Sequence, residues 1–266
     1  QDPMTSLNPV VKIGRQVSEH VRKHLGTSKK EARELGIELL RSVRIPEPER
    51  AFNSFPHELS GGMRQRVSIA IALACSPKLL FADEPTTALD VTVQHQILNL
   101  LGIQQTERDM AMVLITHDLG VVAGRTDEII VMYAGKVVEH ALTRDIFSET
   151  SHPYTEALLR SIPTTDQPSH TRLAAIAGRP PDLIQPTEGC SFSPRCPYAQ
   201  ERCYNEEPPL RSNENGHLSA CWYPVGTDEN IVAWKTNLES GRPATIAVAE
   251  GHAIDDVSSA AFRGTP

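Results

Sequence analysis

A short apolar run that ends in two consecutive carboxylates constrains the fold of this chain more than any other feature. Residues 78–82 read KLLFA, and Asp83, Glu84 and Pro85 follow directly. The run is short and mainly apolar, as in strands that are buried on both faces, and a helical pattern follows at about 91–106. It therefore predicts a strand of a parallel sheet. The two acids would then lie at the carboxyl edge of the sheet, where open α/β sheets bind their ligands.

Helical and strand-like patterns alternate from Leu7 to about residue 147. Apolar spacing predicts helices over 17–24, 29–43 and 64–75, and further strands over 112–115, 128–133 and 136–139, with a tight turn at Ala134 and Gly135 between the last two. Strands that alternate with helices predict an α/β fold, with a mainly parallel sheet and helices on its faces.

The paired carboxylates suggest chemistry on phosphate. Asp83 is suited to hold Mg²⁺, through its waters, and Glu84 is suited to polarise the water that attacks a γ-phosphate. For a bare Asp-Glu pair, an acidic turn after a strand is the favoured explanation, so the phosphate hypothesis depends on motifs elsewhere in the chain.

Two further segments carry polar groups suited to a phosphate. Ser60, Gly61 and Gly62 precede the predicted helix at 64–75, so that backbone N–H groups at a helix N-terminus are open to an anion. An ordinary serine N-cap explains the serine but not the glycine pair. His117 follows the strand at 112–115, where it could sense or stabilise a γ-phosphate, although a single histidine is more often structural.

Together these motifs resemble those of the ATP-binding-cassette family, in the same order and over about residues 1–225. Residues 59–63 (LSGGM) are similar to the LSGGQ signature with Met63 in place of glutamine, 78–85 to the Walker B strand, 87–90 to the D-loop, His117 to the switch histidine and Gln1 to the Q-loop glutamine. The resemblance implies a P-loop-type nucleotide-binding domain with a helical subdomain. It assigns catalysis to Glu84 and His117, Mg²⁺ to Asp83 and Gln1, and nucleotide contacts to Gln1, Ser60, Gly61, Gly62, Asp83 and Asp90.

The phosphate loop of this family, G-x-x-x-x-G-K-[ST], does not occur in the chain. Such loops precede the Q-loop, and Gln1 is followed by Asp2, Pro3 and Met4, which resemble neither an initiator nor a leader. We therefore expect a fragment that does not hydrolyse ATP by itself; a degenerate cassette that never had the loop is the alternative. Its signature motif would still serve an opposing subunit, since in this family each ATP lies between two cassettes.

Composition changes after about residue 147, where proline, cysteine and polar residues become frequent. We expect a partial cassette domain over 1–147, an extension over 148–225 and a tail over 226–266 with little order. The segment HPYT at 152–155 resembles the C-terminal extension of the peptide-importer branch of the family, although a proline-capped helix would explain it as well.

Four of the five cysteines lie in this extension. Cys190, Cys196, Cys203 and Cys221 are separated by five, six and seventeen residues, and thiols in a cytosolic ATPase favour metal ligation over disulfides. The gaps exceed those of structural zinc sites, so the spacing favours a 4Fe–4S cluster over Zn²⁺, and the resemblance to dipeptide-importer ATPases implies the same cluster. Cys75 is predicted to lie in the core.

The resemblance implies an ATPase subunit that energises dipeptide or oligopeptide import from the cytoplasmic face of the plasma membrane. Its expected partners are a second cassette subunit, two transmembrane permeases and, through them, an extracytoplasmic peptide-binding protein. The chain carries a formal net charge of −7 and no apolar stretch of 18 residues, so we expect no nucleic-acid partner and a link to the membrane only through another protein.

Three alternatives remain at this point. Importers of nickel complexes or glutathione belong to the same branch of the family. A non-transport cassette ATPase, of the kind used in translation or DNA repair, and an interaction module that senses redox state or iron through the cysteines belong to other functional classes.

Overall fold

The computed structural model describes residues 6–87, 89–162, 176, 178–184 and 188–241. The chain divides into two compact units between His117 and Asp118. No helix in these described ranges has the length and apolar character needed to cross a membrane.

The first unit is mainly helical. Its helices are α1 (Ile13–Leu25), α2 (Lys29–Ser42), α3 (Pro48–Asn53), α4 (Gly61–Leu73) and α5 (Val91–Arg108), with a 3₁₀ turn at Pro56–Glu58. Gly26 ends α1 in the left-handed region, at φ 66°, where glycine has no steric penalty. Ser28 and Glu31 form a reciprocal capping box at the start of α2, which fixes the turn between the two helices.

The core of this unit contains the apolar faces of the helices. Buried members include Ile13, Val17, Val21, Leu40, Val67, Leu73, Ile97 and Leu100. Helices α1 and α3 approach so closely that a Cβ placed on Gly14 would lie 2.1 Å from the Phe52 ring. A glycine is therefore required at residue 14.

Two parallel strands complete the first unit. Strand β1 (Leu79–Asp83) pairs with β2 (Ala111–Ile115), in a register that sets Leu79 beside Ala111 and Asp83 beside Ile115. Helix α5 makes the crossover between them, as parallel neighbours require. Both strands end at the same edge, so Asp83 and the residues after Ile115 lie side by side.

The second unit contains an antiparallel sheet of four strands in the order β3-β4-β6-β5. Its elements are α6 (Leu119–Val122), β3 (Glu128–Tyr133), β4 (Lys136–Leu142), α7 (Thr143–Ser148), α8 (Pro153–Arg160), a 3₁₀ turn at Ser193–Arg195, α9 (Glu201–Asn205), β5 (Arg211–Ser212), β6 (Leu218–Ser219) and α10 (Asp228–Glu239).

The sheet corrects one prediction. The α/β content is confirmed, but a mainly parallel sheet is wrong for the described residues, because β1 and β2 form their one parallel pair and β3 to β6 are antiparallel. The physical reason is the two-residue turn at Ala134 and Gly135, which is too short for the crossover that parallel strands need. The tail expected to have little order over 226–266 contains helix α10 (Asp228–Glu239), which Thr227 caps, so the prediction is wrong for this first part. The part after residue 241 lies outside the described residues.

Candidate functional site

Glu84 follows β1 directly, and its main chain is held by the neighbouring strand. Its N–H donates to the carbonyl oxygen of Ile115 at 2.9 Å. Its φ of 42° lies in the left-handed region, which a residue other than glycine adopts at a cost. The parallel pair of strands therefore fixes where the Glu84 side chain leaves the sheet edge.

Both oxygens of the Glu84 carboxylate have partners. Oε1 lies 3.0 Å from Nδ1 of His117, and Oε2 accepts a hydrogen bond of 2.8 Å from the Thr87 hydroxyl. The hydrogen bonds from His117 first, and Thr87 second, lower the pKa of Glu84. The His117 side chain is 81% exposed and that of Glu84 28%, so the structure places an ionised, solvent-accessible carboxylate beside an imidazole.

Asp83 is the last residue of β1 and is exposed at the same edge. An exposed carboxylate next to Glu84 offers the oxygen ligand that Mg²⁺ prefers. Asp83 thus fits the Mg²⁺ that the resemblance implies, and its role stays a prediction. Gln1, the second predicted Mg²⁺ ligand, lies outside the described residues.

Ser60 begins α4 as its N-cap. Its side chain accepts a hydrogen bond of 3.3 Å from the Met63 N–H, and its own carbonyl accepts one from Arg64. The serine is exposed and the glycines after it are half-buried. The local structure leaves a helix N-terminus open to an anion.

One glycine of the pair, Gly62, has a structural reason that the sequence did not reveal. A Cβ on Gly62 would lie 2.8 Å from Cγ1 of Val93, on helix α5, and a Cβ on Gly61 would lie 3.7 Å from Leu89. Gly62 is therefore required by the packing of α4 against α5. Asp90 caps α5, accepting a hydrogen bond of 2.9 Å from the Val93 N–H.

Residues that follow β1 thus contact both candidate motifs. Thr87 donates a hydrogen bond to Glu84, while Leu89 and Val93 lie against the two glycines after Ser60. The structure brings Glu84 and His117 into direct contact and places the Ser60 segment beside the start of α5.

The four cysteines of the second unit line one small apolar cavity, together with Phe192 and Trp222 among others. Burial raises the pKa of all four thiols, to about 12 for Cys221. Thiolates rather than thiols bind metals, and this environment favours the neutral form. Cys75, predicted to lie in the core, is exposed and lies two residues after the end of α4.

A metal site at these cysteines is contradicted. Within the part of the chain that the structure describes, no group of three or more His, Cys, Asp or Glu side chains is arranged to hold a metal ion. The predicted 4Fe–4S cluster on Cys190, Cys196, Cys203 and Cys221, and its Zn²⁺ alternative, are therefore wrong. Cysteine spacing alone does not reveal how far burial disfavours the thiolates.

Sequence reasoning missed two sets of residues. Thr87 was assigned only to the D-loop. Its position three residues after Glu84, however, is typical of a turn in which the hydroxyl of the fourth residue donates a hydrogen bond to the first, here Glu84. Glu139 and His217 are 78 residues apart and buried in contact with each other, and no local pattern indicates such a pair.

Two family models match this chain. A family model described as "ABC transporter" matches residues 3–87, and one described as "Oligopeptide/dipeptide transporter, C-terminal region" matches residues 138–203.

Several curated proteins are about half identical to this chain. A probable peptide ABC transporter ATP-binding protein, y4tR of Sinorhizobium fredii, is 53% identical over 222 residues, which cover 84% of this chain and 66% of that protein. The oligopeptide transport ATP-binding protein OppD of Salmonella typhimurium is 51% identical, covering 85% and 67%. The dipeptide transport ATP-binding protein DppD of Escherichia coli is 52% identical, covering 85% and 68%. The chain thus spans about two thirds of the length of these relatives.

Proposed function

The chain belongs to the family of ATP-binding subunits of peptide ABC transporters, and on this premise we propose that it forms part of an ATPase that energises the import of dipeptides or oligopeptides. The observation that carries the proposal is the contact between Glu84 and His117 at the carboxyl edge of the β1–β2 pair, with Oε1 and Nδ1 3.0 Å apart. A carboxylate and an imidazole at this position are suited to act on the γ-phosphate and its attacking water.

Each predicted residue has a proposed part in this reaction. Asp83 would hold Mg²⁺, whose bound charge offsets the charge that develops on the phosphates. Glu84 would accept the proton of the attacking water, and His117, which contacts Glu84 through Nδ1, would orient that carboxylate. The exposed imidazole ring would also be open to the γ-phosphate. Gln1 would contribute a second contact to the Mg²⁺.

The signature segment would act on the nucleotide of a second cassette subunit. Ser60 and the N–H groups that begin α4 offer donors to phosphate oxygens, and Asp90 fixes the start of the adjacent helix. ATP would then close two cassettes, so the second subunit is a proposed partner together with two transmembrane permeases.

The second unit favours peptides as the transported substrate. Residues 138–203 match the family model named for oligopeptide and dipeptide transporters, and the relatives above are named for the same substrates. We propose that the subunit works peripherally at the cytoplasmic face of the membrane, bound to permeases that receive peptides from an extracytoplasmic binding protein.

The test is Glu84→Gln in the full-length subunit, with a phosphate loop and assembled with its permeases. Glutamine keeps the shape but cannot accept a proton, so hydrolysis should fall by about 100-fold or more while ATP still binds. Glu38→Gln, at an exposed carboxylate on α2, is the matched control and should retain full turnover. Near-normal hydrolysis in the Glu84 variant would refute the proposal.

A further inference from the structure

The Glu84 carboxylate is held from two sides, and one of the two contacts has no assigned role. His117 contacts Oε1, while the Thr87 hydroxyl donates to Oε2 at 2.8 Å. The hydroxyl hydrogen bond is the shorter of the two and comes from the same short segment as the acid itself. A freely rotating carboxylate would have neither restraint.

The main chain sets Thr87 in this position. The Thr87 N–H donates to the carbonyl oxygen of Glu84 at 3.2 Å, which closes a turn over residues 84–87. Glu84 is itself held by Ile115 and has a positive φ. The amide and the hydroxyl of Thr87 therefore both face Glu84, and the turn provides the donor without help from another element.

From this geometry we propose that Thr87 is a positioning residue, whose hydroxyl holds the Glu84 carboxylate in the orientation that presents Oε1 to His117 and to the attacking water. The inference rests on the proposed function of Glu84. Thr87 does not touch the reacting atoms; it restricts the rotation of the group that does. Such restriction matters because a general base must lie within hydrogen-bond reach of the proton that it removes.

The proposed role depends on a hydroxyl donor at residue 87. A donor on Oε2 is compatible with an ionised Glu84, since a carboxylate only accepts hydrogen bonds. Valine has the same shape as threonine but offers no donor, whereas serine keeps the donor and loses only a methyl group. These two substitutions therefore separate the hydrogen bond from the packing of the side chain.

The experiment compares Thr87→Val, Thr87→Ser and Thr87→Ala in the full-length subunit assembled with its permeases, with kcat, the KM for ATP and the thermal midpoint measured for each. Loss of one hydrogen bond to a charged group should lower kcat about tenfold in the valine and alanine variants. The KM and the thermal midpoint should stay near wild type, and serine should restore kcat. Thr86→Val removes a neighbouring hydroxyl as the matched control and should leave kcat unchanged.

The possible outcomes distinguish a failure of the role proposed for Thr87 from a failure of the role proposed for Glu84. Full kcat in Thr87→Val or Thr87→Ala, with Glu84→Gln inactive, overturns the role of Thr87 and leaves the role of Glu84 intact. A low kcat in Thr87→Ser overturns it as well, because the donor is then present without effect. Full kcat in Glu84→Gln overturns both. If the valine variant does not fold, the serine and alanine variants decide the question alone.

Discussion

Glu139 and His217 form a buried pair in the second unit, with Oε1 of the acid 2.7 Å from Nε2 of the imidazole. The two side chains are 0% and 4% exposed, in that order. The carboxylate also accepts hydrogen bonds from the Ser151 N–H and, at 3.4 Å, from the Thr150 hydroxyl. One side chain on β4 therefore joins the segment before α8 to the turn before β6.

Glu139→Ala should destabilise this unit strongly. It leaves the buried His217 ring and the partly buried Ser151 N–H without their acceptor, and breaking a buried pair from one side costs about 3–5 kcal/mol. Urea unfolding of the chain measures the change. Glu149→Ala, at an exposed carboxylate in the same unit, is the control, and a loss below about 1 kcal/mol in the Glu139 variant would contradict the prediction.

The contact between helices α4 and α5 gives a second prediction. In Gly62→Ala the new methyl would lie 2.8 Å from Val93, and valine has little rotamer freedom to move away. The free energy of unfolding should fall by about 1–3 kcal/mol. Combining it with Val93→Ala should recover part of that loss.

Gly102→Ala is the matched control for this contact. It lies within the same helix α5 and has nothing within 4 Å of the added Cβ. Helix propensity alone predicts a gain of up to about 1 kcal/mol there. If both glycine variants were equally stable, the packing reason given for Gly62 would be incorrect.

Most of the local structure could be predicted from the sequence, because apolar spacing and capping residues act over a few positions. The helices near 17–24, 29–43 and 91–106 all form, and the turn at Ala134–Gly135 joins two strands. The sheet topology could not be predicted equally well, since it depends on which strands meet across long stretches of chain. The β4–β6 pairing joins residues about 80 positions apart.

The candidate site was likewise predictable from the sequence only in part. The strand ends that carry Asp83, Glu84 and His117 were predictable, because parallel strands end at one edge. The packing of Gly62 against Val93 and the hydrogen bond from Thr87 depend on side-chain positions. The periodic spacing of residues along the sequence does not indicate these positions. The cysteines show the opposite error, since their spacing suggested metal ligation, while burial raises the pKa of their thiols and their arrangement does not suit a metal ion.

His152 should make the second unit sensitive to acid. Burial lowers its pKa to about 4, while in the unfolded chain it titrates near 6.5. Between these values the unfolded state binds a proton and the folded state does not, so the free energy of unfolding falls as pH decreases from about 6.5 towards 4 and is unaffected by this group at higher pH. The total loss is roughly 3 kcal/mol, the equivalent of a shift of about 2.5 pH units.

His152→Asn tests this pH dependence. Asparagine can replace the ring as the N-cap of α8, where Nδ1 of His152 now accepts from the Tyr154 N–H, but it does not titrate. The difference in stability between wild type and the variant should therefore shift in favour of the variant as the pH is lowered from 7 to 4.5. A difference that is constant over this range would show that His152 is not the group responsible.

The last prediction separates the two roles of Ser60, which caps α4 through the Met63 N–H and is proposed to face the nucleotide of a second cassette. Aspartate is as good an N-cap as serine, so Ser60→Asp should retain the thermal midpoint of the chain. Its charge would repel the phosphates, however, and ATP-driven pairing of full-length subunits should be lost, as it should in Ser60→Arg, whose bulk fills the same space. ATP affinity of the single subunit should remain near wild type in both variants, because that nucleotide is held by other motifs.

Pairing is measured by size-exclusion chromatography with ATP in the Glu84→Gln background, which prevents turnover. Normal pairing of Ser60→Asp would restrict Ser60 to its capping role.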